Sequence, residues 1–77
     1  MEENLPDKPM EIADALRELN TKPVIDLWPT TAVLLDISRS EVYEAAKRGE
    51  IETLPIGRLK KAISAPLRKK LGMIEAA

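Results

Sequence analysis

PTTAVLLDISRSEVYEAAKRG, residues 29–49, is the stretch whose reading decides how this chain folds. Pro29 suits the first turn of a helix, because its fixed φ is helical and its missing donor is not needed there. That helix is short, about Thr30 to Leu35, with Ala32, Leu34 and Leu35 on its buried side. Asp36 and Ile37 make a tight turn; aspartate tolerates the left-handed conformation better than most residues other than glycine. Ser38-Arg39-Ser40-Glu41 then spells a capping box, in which the Ser38 and Glu41 side chains each satisfy the other's free backbone donor. Gly49 can take the left-handed position that ends the second helix. At 100° per residue, Val42, Ala45 and Ala46 share one side of that helix and face the core. Ser40, Tyr43, Glu44 and Lys47 lie opposite, with Arg39 and Arg48 on the flanks. The small Ala45 and Ala46 permit close packing on the preceding helix.

Downstream of Gly49 the periodicity changes. Leu54 and Ile56 alternate at period two, as do Leu59 and Ile63, with Gly57-Arg58 between the runs. This predicts a β-hairpin over residues 50–63 with Gly57 at its tip, in which Pro55 requires an edge or a bulge. Ser64 is expected to cap a last helix, Ala65 to Leu71, closed by Gly72, within residues 64–73. Upstream, residues 1–6 carry no periodic signal and are expected to be disordered. Asp7 is expected to cap a helix from Lys8 to about Leu19, within residues 7–20, with Ile12, Leu16 and Leu19 as its apolar stripe. Asn20 is its stop and Pro23 lies just beyond. Val24 to Trp28 reads as a short apolar stretch leading into Pro29. The expected fold is a single α+β domain over residues 1–77, mainly α: N-terminal helix, helix-turn-helix (27–49), two-stranded wing and C-terminal helix, a small winged helix-turn-helix.

Composition narrows the chemistry. A chain of 77 residues has room for one core, and at this size only roughly 60 % of the unfolded surface is buried. With no Phe, one Trp and one Tyr, that core is aliphatic. The absence of cysteine and histidine removes disulfides, the usual zinc ligands and the usual general base near neutral pH. No metal, cofactor or catalytic residue is expected, and the chain is not expected to be an enzyme, since its carboxylates are scattered and no nucleophile has a partnered base. No apolar run approaches the ~20 residues that span a bilayer, and the acidic start is not expected to be a signal peptide. The expected location is the cytoplasm. Charge is split along the chain: residues 1–36 hold three cations against eight carboxylates, residues 37–72 nine against four. An acidic half joined to a basic half suits a polyanionic partner, although two solvated faces would give the same count.

A helix-turn-helix followed by a wing docks its second helix in the major groove of double-stranded DNA. In that reading Arg39 and Lys47 suit phosphate oxygens or guanine O6 and N7. Ser40 suits a base edge or a phosphate. Tyr43 either gives its hydroxyl to a phosphate or forms a partly buried core edge. Glu44 either accepts from a cytosine amino group or is a solvated i, i+4 partner of Arg48. Arg48 joins the set from the flank. Arg58 projects beside the hairpin tip, and Lys60 and Lys61 point to opposite faces, so one of them at most shares its target, and Lys60 is the expected wing contact beside Arg58. Such lysines also discourage edge pairing of an exposed hairpin. The C-terminal helix presents Leu67, Leu71, Met73 and Ile74 along one side, either to the chain's own core or to a neighbouring copy.

The arrangement resembles the excisionase, or recombination directionality factor, branch of the MerR-like winged helix-turn-helix superfamily. The resemblance runs from about Leu27 to Met73. It rests on Leu27-Trp28-Pro29-Thr30-Thr31-Ala32, Ile37-Ser38-Arg39-Ser40-Glu41-Val42-Tyr43, Gly49-Glu50-Ile51, Ile56-Gly57-Arg58 and Leu67-Arg68-Lys69-Lys70-Leu71. Asp36 stands where that family usually has glycine, and Leu59 where a second arginine often follows the first. The resemblance implies DNA contacts by Arg39, Ser40, Tyr43, Glu44 and Lys47 and by the wing cation Arg58. It also implies a bacteriophage role in site-specific recombination. Several copies bind cooperatively and head-to-tail beside an attachment site, bend the DNA and direct a tyrosine integrase toward excision. The same fold also serves small transcriptional regulators and protein-binding adaptors or antitoxins.

Overall fold

The computed structural model describes residues 10–72. They form four α-helices and one three-stranded antiparallel sheet, a mixed and mainly helical arrangement. In chain order these are α1 (Ile12–Thr21), β1 (Val24–Asp26), a wide turn over Leu27–Thr31 leading into α2 (Ala32–Leu35), α3 (Arg39–Lys47), β2 (Thr53–Ile56), β3 (Leu59–Ile63) and α4 (Ser64–Lys70).

Helix α1 begins later than its sequence pattern predicts. Glu11 is extended (φ −71°, ψ 142°), and its carbonyl accepts from the N–H groups of Asp14 and Ala15. The expected start near Lys8 is therefore corrected to Ile12; Asp7 lies outside the described residues. The face that anchors α1 is Ala15 and Leu19, both fully buried, whereas Ile12 is 46 % exposed. The helix outlasts Asn20 because Thr21 bonds its hydroxyl back to the Arg17 carbonyl at 2.6 Å.

The second correction concerns the sheet. Val24–Asp26 is a strand, paired antiparallel to β3 with Ile25 opposite Ala62, so the order is β1-β3-β2 and not a two-stranded hairpin alone. Strand β2 pairs with β3 through Ile56↔Leu59, which leaves Gly57-Arg58 as a two-residue turn. Gly57 takes φ +59°, the left-handed value that this hairpin turn requires at its first position. Pro55 faces Lys60 at a position between hydrogen-bonded pairs, so its missing donor points to the open edge. The sheet turns Ala62 and Ile25 to the core, and the alternating Leu54, Ile56 and Leu59 fall on its other face, 45–61 % exposed. Their period announces the strands, but the packing of β3 on the Leu27–Thr31 turn and α4 selects the opposite face for burial.

The middle of the chain is ordered by satisfied polar groups. Thr30 and Thr31 are fully buried; Thr30 donates to Glu18 Oε1 at 3.1 Å and Thr31 to the Asp26 carbonyl at 2.8 Å. Buried hydroxyls without such partners would cost about 1–3 kcal/mol each. Asp36 is left-handed (φ 58°, ψ 47°), while Ile37 N–H donates to Ala32 and Asp36 N–H to Val33. Gly49 ends α3 with the same pair of bonds, Glu50 to Ala45 and Gly49 to Ala46. Both are Schellman ends, in which the last free carbonyls are satisfied by a left-handed residue. The capping box of α3 is formed as expected: Ser38 Oγ accepts from Glu41 N–H, and Ser38 N–H donates to Glu41 Oε1 at 2.8 Å.

A third correction falls at α4. Ser64 is its first residue and not its cap; the buried hydroxyl donates to the Lys22 carbonyl at 2.6 Å, and Ser64 N–H donates to Pro23. Those two bonds tie the start of α4 to the segment between α1 and β1. Arg68 donates to the Leu19 carbonyl near the end of α1, where a cation also meets the negative end of the helix dipole. Leu67 is buried at 3 % exposure and Leu71 packs on the same core. Leu67 and Leu71 of α4 thus pack on the chain's own core; Met73 and Ile74 lie outside the described residues. Val42, Ala45 and Ala46 of α3 close the core against Leu27, Ala32 and Ile51. Among the described residues no helix is long and apolar enough to cross a membrane.

Candidate nucleic-acid interface

Burial of Val42, Ala45 and Ala46 sets the rotation of α3, and everything outward follows from it. Ser40, Tyr43, Glu44 and Lys47 are exposed. Helix α3 lies beside the β2–β3 hairpin, and the two elements bound an open cleft of about 400 Å³ lined by Leu27, Tyr43, Ala46, Lys47, Arg58 and Lys60. Two apolar side chains form its floor; three cations and a phenol form its walls. Lys47, Arg58 and Lys60 make no ion pair with another described residue. Tyr43 is 46 % exposed.

Strand alternation sorts the two hairpin lysines. Lys60 joins Arg58 on the side of α3, whereas Lys61 stands on the far face and pairs with the Asp26 carboxylate. The opposite flank of α3 is built differently. Arg48, expected in the DNA-facing set, is drawn away from the cleft into a two-pronged bond with Glu50, at 3.0 and 3.2 Å. Glu44 stands 3.9 Å from the same guanidinium, and Lys70 Nζ donates to the Glu50 carbonyl at 2.7 Å. The hydrogen bonds and charge of Glu50 raise the Arg48 pKa above its ordinary value, and Arg48 lowers that of Glu50. Glu44 is therefore the i, i+4 partner of Arg48. A depression of about 390 Å³ on this flank is lined by Glu41, Glu44 and Glu50, with Ser40 on its rim. Glu41 is held below the usual carboxylate range, first by the Ser38 backbone N–H and then by the Ser38 hydroxyl.

Arg39, the first residue of α3, belongs to neither flank. Its guanidinium carbon lies over the Trp28 ring, 5.9 Å from the centroid. Trp28 is a residue that reading by periodicity counts as one more apolar side chain before Pro29; only its position beneath Arg39 distinguishes it. The cations of α3 and the hairpin are thus in three settings: open to the cleft (Lys47, Arg58, Lys60), neutralised (Arg48, Lys61) and placed over an aromatic ring (Arg39).

Chemically, the cleft is a place for phosphate oxygens: several N–H donors and one hydroxyl converge, with no carboxylate in its lining. Helix α3 has nine residues, about 14 Å of length, and a B-DNA major groove is about 12 Å wide and admits a helix. Among the described residues no group of three or more carboxylates could hold a metal ion. The chain matches no protein-family model, no curated protein and no solved structure.

Proposed function

We propose that this chain is a winged helix-turn-helix DNA-binding protein of the excisionase type. In this reading α2 and α3 are the helix-turn-helix and the β2–β3 hairpin is the wing. The observation that carries the proposal is the cleft between α3 and the hairpin, which gathers Tyr43, Lys47, Arg58 and Lys60 and leaves the three cations without an ion-pair partner among the described residues. Helix α3 enters the major groove, Ser40 and Tyr43 approach base edges and backbone, and Arg58 and Lys60 hold the adjacent phosphates. The protein performs no chemistry on its partner. A single module of this size covers only about 600–1,000 Å² of DNA, so specificity is limited for one copy. Several copies side by side, bending the attachment site and steering a tyrosine integrase toward excision, supply the rest; a smooth bend of 40–90° over 20–30 base pairs costs on the order of 1–6 kcal/mol.

The test is a salt titration of duplex binding, followed by a footprint on the locus that encodes the chain. Log K is expected to fall by roughly 0.9 per phosphate contact for each tenfold rise in salt. Several adjacent direct repeats beside an integrase site support the excisionase, and one inverted repeat over a promoter indicates a transcriptional regulator instead. Weak, salt-insensitive binding would overturn the DNA reading in favour of a protein-binding adaptor or antitoxin.

A further inference from the structure

We infer that Trp28 is a positioning residue, holding the Arg39 guanidinium so that its in-plane donors read a guanine at one edge of the DNA site. The inference rests on the DNA-binding reading above and names the pair that gives it base preference. Arg39 is the first residue of α3, where the helix dipole disfavours a cation. It is exposed and makes no ion pair with another described residue. What it has is the Trp28 ring, 5.9 Å away. A guanidinium attracted through its face keeps its N–H donors free at its edge. Those edge donors match guanine O6 and N7 as a two-bond fork, which a lysine ammonium cannot reproduce.

Trp28 is itself firmly placed. Its backbone is extended (φ −126°, ψ 129°), between buried Leu27 and buried Thr30 and Thr31. The threonine hydroxyls are bonded to Glu18 and to the Asp26 carbonyl, so the turn that carries the ring is fixed to α1 and to β1. Part of the indole packs on the core, and the remainder is available beneath Arg39. The cleft cations have no aromatic ring beneath them and suit contacts that tolerate any sequence. Among the cations of α3 and the hairpin that are not already bonded to a described residue, Arg39 is the one with a ring to set its direction, and a preset direction is what discrimination between bases needs.

The experiment selects a preferred duplex for the wild-type protein and then measures affinity for all four bases at each position. A guanine preference is expected at one edge position. Arg39→Lys keeps the charge and is expected to lose that preference by roughly tenfold, within the range of a two-bond guanine contact. Trp28→Leu is expected to weaken the same preference by roughly threefold, as an exposed cation–π contact would, with the salt slope unchanged. Trp28→Phe, the safer variant for folding, keeps an aromatic face and is expected to lose less than Trp28→Leu, and Arg39→Lys with Trp28→Leu loses no more than Arg39→Lys alone. Wild-type base preference in Arg39→Lys, or equal weakening for all bases in both Trp28 variants, overturns the positioning role while leaving the DNA reading intact. A wild-type protein without salt-dependent duplex binding overturns both.

Discussion

The two flanks of α3 both carry exposed cations and treat them in opposite ways. On the hairpin side, Lys47, Arg58 and Lys60 surround a cleft without a carboxylate. On the other side, Arg48 is closed onto Glu50 and Glu44, and Lys70 onto the Glu50 carbonyl. A count of charge along the sequence does not assign each cation to its flank. What separates them is whether the fold brings an opposite charge within reach, because an exposed ion pair presents little net field beyond a Debye length of about 8 Å at physiological salt. Charge that the fold leaves unneutralised is the charge available to a partner.

That contrast can be broken most strongly from the hairpin side. Replacing Lys47 and Arg58 together by alanine is expected to weaken duplex binding on the order of 100-fold, about tenfold for each charge-assisted contact. The slope of log K against log salt should become shallower by about 1.8, and anisotropy titrations at several salt concentrations read both quantities. Arg48→Ala sharpens the comparison from the other flank. It is expected to change duplex affinity less than about twofold and to leave the salt slope within about half a contact. An Arg48→Ala loss equal to that of Lys47→Ala would erase the distinction between the flanks.

Smaller effects concern the element that both flanks share. Ser38→Ala removes the cap of α3 and is expected to cost about 1 kcal/mol of stability. For a domain of this size that is roughly 4–8 °C in Tm, measurable by circular dichroism. The smallest effect is that of pH. Glu41 has a folded pKa below its unfolded value, so its contribution is fully present above the unfolded pKa near 4.5 and is lost as pH falls through the depressed folded value. Melting curves of Glu41→Gln and wild type should therefore differ at neutral pH and converge in acid below pH 4.5. A gap that stays constant across that window would mean that the Glu41 charge is not what the Ser38 donors hold.

Local chemistry makes much of this legible without coordinates. The capping box at Ser38 and Glu41, the left-handed residues Asp36, Gly49 and Gly57, and the inward trio Val42, Ala45 and Ala46 depend on neighbours within a few positions. Each of them appears in the structure as its residue type demands. The errors share a different cause. Strand β1 has three residues and becomes a strand only because β3, 35 or more positions away, offers its edge. Ser64 looks like a cap until the Lys22 carbonyl, equally remote, claims its hydroxyl. Helix α1 starts at Ile12 with Glu11 as its extended cap, a boundary that the spacing of its apolar residues does not mark.

The same division applies to the candidate site. Backbone preference and helical period were enough to put Tyr43 and Lys47 on the outward side of α3, because both act between residues less than two turns apart. Whether Arg48 faces outward or onto Glu50, which of Lys60 and Lys61 meets Arg58, and that Trp28 lies under Arg39 were decided only when separate elements came together. Long flexible cations take their direction from whatever charge or ring is nearest in space, and proximity in space between distant positions is a property of the packed chain.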